Sequence, residues 1–309
     1  MRAKLGVTVL AGAVLFLGAC DLSDVHVADA ERFHRDFHYS HDLAANGRLV
    51  AETFNGSVEI SGWDQNRIDI SGTKYGRTQQ EADELKVSVD SAPDSVSIHV
   101  IRPTDRRNNQ GARLVLKVPR GVLLDRITTS NGAIRTSEGV GPARLKTSNG
   151  PISVSHLRGP LDAQTSNAPL ELLDIDGDLV AHTSNGRIQV ERLNGNLEAT
   201  TSNSAVHADF VRSDCAVRVE TSNGPVELSS TEGFSREVRA STNNSPITLR
   251  VPMLNAHILA RTSNSAISSD FDLHVQGEIT KNHLDATIGS GGALLDLVTS
   301  NGPIRIARM

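Results

Sequence analysis

The chain has 309 residues, 38% of them hydrophobic and only 3% aromatic, with 31 basic side chains against 36 acidic ones. That apolar content is enough for one or two folded domains. A net charge of -5 and a single Trp argue against a nucleic-acid partner held by counterion release or base stacking, and two cysteines, Cys20 and Cys215, are too few for a disulfide-stapled fold.

Arg2 and Lys4 precede an apolar run from Leu5 to Leu17, too short to span a bilayer with margin and shaped like a secretory signal. It ends in Leu17-Gly18-Ala19-Cys20, a tetrad that resembles the bacterial lipobox. The resemblance implies cleavage after residue 19, a lipid on the Cys20 thiol and attachment to the cell envelope. Asp21 favours the inner membrane in enteric lipoproteins. Acyl chains hold such a protein on a membrane without a transmembrane helix. Residues 20–34 then read as a tether, and Cys215 as a small buried hydrophobe.

Residues 35–127 form an N-terminal β region with the first divergent rungs. Thr53 to Ile60 (TFNGSVEI) is an early copy of a motif that recurs later. The stretch from Thr73 to Leu85 reads as a loop or short helix. Lys86 to Val89 and Val96 to Val100, with a turn near Pro93-Asp94, read as a hairpin, and Leu114 to Pro119 leads into the regular repeat.

From residue 128 to 309 one pattern dominates. Thr-Ser-Asn stands at Thr129, Thr147, Thr165, Thr183 and Thr201, each 18 residues after the last, then at Thr221, Thr262 and Thr299, with a Thr-Asn-Asn variant at Thr242. The common frame is T-S-N-G-x-I-x-V-x-x-L-x-G-x-L-x-A-x. Its period-two alternation predicts two short strands per repeat, and its glycines predict corners of positive φ. No segment there carries a helical period. One such unit cannot bury its inner face alone, whereas stacked units can, about 4.8 Å apart. The predicted fold is therefore all-β: a single-stranded parallel β-helix, or β-solenoid, of 18–21 residue rungs, with divergent N-terminal strands and a C-terminal hairpin cap around Gly289-Ser290-Gly291-Gly292. The alternation, extended backwards, places Thr and Asn inward. It predicts a structural ladder of amides through Asn131, Asn149, Asn167, Asn185, Asn203, Asn223, Asn244, Asn264 and Asn301.

The strings NGSVEISGWD (Asn55 to Asp64) and LKVPRG (Leu116 to Gly121), with the serial TSNGPI rungs, resemble the bacterial "putative adhesin" domain family over roughly residues 35 to 307. The resemblance implies a right-handed β-helix-like fold and an exported, often lipid-anchored protein. It supplies no catalytic residue to carry over.

Familiar active-site strings are missing: no H-E-x-x-H, G-x-S-x-G, P-loop, dinucleotide fingerprint or C-x-x-C occurs. On the outer slots, Glu191 and Asp209 fall one rung apart, with His207 and Glu171 on the same face, a spacing that retaining glycosidases use. Ser153 and Arg135 show no purposeful continuation. Asp174, Asp176 and Asp178 resemble a fragment of a calcium loop, although the same slots one rung away hold scaffold residues. His34, His38 and His41 have a spacing that suits metal binding only on a helix.

The expected function is a non-catalytic adhesin or interaction scaffold of the envelope, without a cofactor, whose partners are the membrane, through its lipid, and an envelope protein or glycan. Two alternatives stand beside it: a polysaccharide-active enzyme using Glu191, Asp209 and His207, and a component of envelope-stress signalling. Replacing Cys20 by Ala is expected to release the protein from membranes; retention of the variant in the membrane pellet after fractionation would refute lipid anchoring.

Overall fold

A computed structural model describes residues 33–101 and 110–309 of the chain; Cys20 and the apolar run before it lie outside the described residues. The chain forms a two-sheet β-solenoid. One sheet has 13 strands and the other 14. Along its middle every rung gives one strand to each sheet, in parallel register with the rung before, as in Ile152–Arg158 on Leu170–Asp176 and Leu161–Gln164 on Leu179–His182. Among the described residues the helix is confined to Gln79–Glu84, capped by the Thr78 hydroxyl, and no helix is long and apolar enough to cross a membrane.

The alternation places Ile152, Val154 and Leu157 inside one sheet and Leu161 and Ala163 inside the other, all buried. The step from Val154 to Leu157 spans three residues because His156 adopts a left-handed backbone (φ 57°), as do Glu138, Asp174 and Arg192 at the equivalent place on neighbouring rungs. This extra residue works as a bulge: it restores the inward direction after the kink. Ala163, Ala181 and Ala199 stack on the opposite wall, and such short side chains let the two sheets close with few aromatics. Rings enter where the rungs lengthen: Phe210 and Phe234 are buried edge-to-face at 5.4 Å. Cys215 is buried as well, and desolvation pushes its thiol pKa up.

Two expectations about the Thr-Ser-Asn-Gly corner need correction. Thr points inward and is buried, but Asn points outward and is exposed. The corner leaves the strand alternation at Ser, so period-two counting fails across it. The amide ladder therefore runs along the surface. Each Asn Nδ2 donates to the Oδ1 of the rung before at 2.5–2.9 Å, from Asn131 on Asn55 through to Asn244 on Asn223. It ends where Asn55 donates to the Gln110 carbonyl.

In the regular rungs the glycine after Asn serves close approach and not positive φ, which among these corners only Gly56 of the first copy adopts. A Cβ on Gly150 would lie 1.8 Å from the Gly132 carbonyl oxygen of the rung below, and Gly186 meets Ala168 in the same way. That approach lets the glycine N–H reach the Thr hydroxyl three residues back, at 3.1–3.3 Å for Gly132, Gly150, Gly186, Gly224 and Gly302. The same hydroxyl donates to a carbonyl of the neighbouring rung, as Thr147 does to Gly132 at 3.0 Å.

The rungs do not follow chain order at the ends. Residues 293–308 lie between the rung of 238–251 and that of 256–269, so Asn301 takes its place in the ladder between Asn244 and Asn264. At the other end the rung of 48–63 lies between the strands of 95–101 and 111–119 on one side and the rung of 123–137 on the other. Antiparallel strands cover the N-terminal end of both sheets, Phe33–Asp42 and Arg67–Gly76 on one and Lys86–Ala92 on the other. At the C-terminal end the hairpin of Leu273–Ile279 with His283–Ile288 covers the 14-stranded sheet, while the 13-stranded sheet ends on the parallel strand Ile267–Ser269.

Thr147→Val is expected to cost about 2–3 kcal/mol, because it strands a buried N–H and a buried carbonyl. Asn167→Ala, which removes exposed amide bonds, is expected to cost about 1 kcal/mol. Urea denaturation of the two variants beside the wild type checks the order; equal losses would refute the inner Thr as the principal staple.

Candidate functional site

The outer face of the 13-stranded sheet is built by the residues that alternate with the core. Two columns run along it. One carries Glu59, Arg135, Ser153, Glu171, Gln189, His207 and Glu227 on successive strands. In the other, Ser61 pairs with Ser137, Ser155 with Leu173, and Leu173 with Glu191.

Side-chain length along these columns shapes the surface. Ser61, Ser137, Ser153 and Ser155 are short and lie on adjacent strands, while Val115 stands at one end and Glu171, Leu173, Gln189 and Glu191 at the other. The result is a groove of about 560 Å³ with a hydroxyl floor. Arg135 and Glu59 neutralise each other at 3.5 Å. Ser153 donates to Glu171 at 3.5 Å, and Gln189 donates to Glu191 at 2.6 Å. Neither Glu171 nor Glu191 forms an ion pair among the described residues. Arg135 and Ser153, which show no continuation in sequence, thus belong to a shaped site; the signal that finds them is the run of small outer residues bounded by long ones.

Glu191, Asp209 and His207 do share this face, but their partners leave no acid–base pair standing free. His207 lies between Asp209 (Nε2 to Oδ2, 3.3 Å) and Glu227 (Nδ1 to Oε2, 3.5 Å). Asp209 also accepts from the Ser229 hydroxyl, and Glu227 is paired with Arg250. The cluster is half-exposed on an open sheet face. Catalytic carboxylates of the two-acid type need one group protonated and one ionised on either side of an enclosed bond; here Asp209 is charge-paired with His207, and Glu191 accepts from the neutral Gln189 amide.

The structure does not bring Asp174, Asp176 and Asp178 together as the calcium-loop reading requires. The three carboxylates are spread along the kink, and each is bound to the next rung: Asp174 to Arg192 at 2.5 and 2.6 Å, Asp176 to the Asn194 amide at 2.6 Å, and Asp178 to the Asn196 backbone and side chain at 3.1 and 2.9 Å. They do not converge on a point, and no group of three or more metal-ligating side chains occurs among the described residues. The hydrogen bonds from Arg192 hold the Asp174 carboxyl below the usual carboxylate range against the opposing effect of desolvation, with His156 adding to the lowering. His34, His38 and His41 lie on the strand Phe33–Asp42, where residues i and i+4 share a face and i+7 does not. His38 is bound to Asp69 at 2.5 Å.

No family model matches the chain, and no curated protein does. Solved structures resemble it at low identity. A "putative adhesin" from Bacteroides fragilis has 12% identity over 89% of this chain and 97% of its own, with a TM-score of 0.38. One from Parabacteroides merdae has 10% identity over 88% and 96%, with a TM-score of 0.41. A "putative lipid binding protein" from Parabacteroides distasonis has 10% identity over 88% and 96%, with a TM-score of 0.36. Likeness this distant carries no argument about the groove.

Because the folded-state pKa of Asp174 is depressed, its pairing with Arg192 contributes stability that is present above the unfolded value near ~3.9 and is lost as pH falls through the folded one. Arg192→Ala is expected to be less stable than wild type at pH 7, with the gap closing below about pH 4. A gap independent of pH in thermal melts would refute the pairing.

Proposed function

We propose that this chain is an exported, lipid-anchored protein of the cell envelope, whose solenoid is a non-catalytic, adhesin-like contact scaffold and whose serine-floored groove is the contact site. The observation that carries this reading is the groove itself: a shaped, polar concavity on an outer face whose neighbouring carboxylates are tied to Gln189, His207, Ser229 and Arg250. Such a surface offers hydrogen bonds and charge without a poised acid and base. The lipobox-like tetrad ending at Cys20 supports the anchored location.

Solenoid geometry suits the role. Rungs held by regular backbone pairing form a rigid rod, so little conformational freedom is lost when a ligand seats on its face.

Ser137→Trp fills the groove from an outward position without touching the core. Beads coated with the mature chain, incubated with envelope vesicles from the producing bacterium, are expected to retain about tenfold fewer vesicles when the variant replaces the wild type, with an unchanged melting curve. Equal retention by the two proteins would refute the groove as the contact site.

A further inference from the structure

Resting on that reading of the groove, we infer that its ligand is an extended stretch of polypeptide with an aliphatic residue toward one end and basic side chains toward the other. Four observations define this chemistry.

The first is length. The groove crosses six neighbouring strands, from the one carrying Val115 to the one carrying Glu191. Five steps of about 4.8 Å give roughly 24 Å, which an extended chain at about 3.3 Å per residue covers with seven residues. The second is charge. With Arg135 and Glu59 paired, Glu171 and Glu191 place two carboxylates that form no ion pair among the described residues at one end, where lysine or arginine side chains are complementary. The third is hydrogen bonding. Ser61 and Ser137 pair across neighbouring strands, and their hydroxyls have no partner among the described residues, so each can both donate to and accept from a peptide main chain. The fourth is the apolar end. Val115 is 42% exposed there, four strands from Glu171, which places an aliphatic ligand residue about six positions from the first basic one.

An amino-sugar polymer would also bring positive charge and hydroxyl partners. The lining contains no aromatic ring, so the stacking surface that sugar rings use is missing. The groove favours the peptide.

The test uses the purified full chain in detergent and an amidated, fluorescently labelled nonapeptide with valine near its start, two lysines near its end, and glycine and serine between them. Anisotropy is expected to show saturable binding that weakens from low to high salt. Glu171→Gln combined with Glu191→Gln is expected to weaken it about three- to tenfold, whereas Glu198→Gln on the other sheet leaves it unchanged. A companion peptide with glutamates in place of the lysines is expected not to bind.

Equal binding of the two peptides, an unchanged affinity in the double variant, or tighter binding of a glucosamine hexamer than of the lysine peptide would each overturn the assignment. If no peptide binds while Ser137→Trp still abolishes vesicle retention, the ligand class is wrong and the scaffold reading stands. If both fail, both fall.

Discussion

The inward Thr hydroxyl is the interaction on which the solenoid depends. Each repeat must turn a corner without leaving unpaired backbone groups inside, and a buried N–H or carbonyl without a partner costs about 1–3 kcal/mol. Thr147 meets both demands at once, accepting from Gly150 and donating to Gly132 on the preceding rung. It closes its own corner and ties that corner to its neighbour. Where Ala168, Ser204, Ser245 or Ser265 replaces the glycine, the hydrogen bond within the corner does not form among the described residues, and the bond between rungs persists, as from Thr165 to Gly150, Thr201 to Gly186, Thr242 to Gly224 and Thr262 to Gly302. The link between rungs is thus the more general of the two, which explains why Thr tolerates less variation than the glycine.

Stacking by identical corners creates a problem at the ends, since an unpaired strand edge is a template for aggregation. Intercalation answers part of it. The final rung is held on both sides, by Ile247–Val251 and Ile267–Ser269 in one sheet and by Val238–Ser241 and Ala256–Thr262 in the other. Loosening the C-terminal strand therefore breaks two ladders instead of one. The rung of residues 48–63 is held in the same way at the opposite end; antiparallel strands then cover the N-terminal edge of both sheets and the C-terminal edge of the 14-stranded one, and the edge left in the other sheet is the three-residue strand Ile267–Ser269.

With the interior committed to packing, function is left to the outer slots, which the repeat does not constrain. The groove arises from nothing more than side-chain length: serines on neighbouring strands between longer residues. A rigid lattice at regular spacing converts such differences into shape, and the same regularity explains the pairing of Asp174, Asp176 and Asp178. Residues one rung apart face each other, so carboxylates find Arg192, Asn194 and Asn196 and have none of the convergence a cation needs.

The 18-residue spacing and its alternation were sufficient to determine the all-β class, the two strands per rung, the parallel stacking and the inward Thr, because hydrophobic periodicity and turn residues are local properties that recur in register. The hairpin of Lys86–Ala92 and Ser95–Ile101 was legible for the same reason. Tertiary structure alone decided the outward direction of Asn, because the corner breaks the two-residue period on which counting relies. It also decided the place of Asn301 between Asn244 and Asn264: the motif at Thr299 is the same as the others, and a repeat does not encode which neighbour it meets. The groove belongs to this second class. Ser137 and Ser155 stand one 18-residue period apart, as the repeat implies, but Ser61 lies 76 residues before Ser137, and only the register of the rungs sets it beside them.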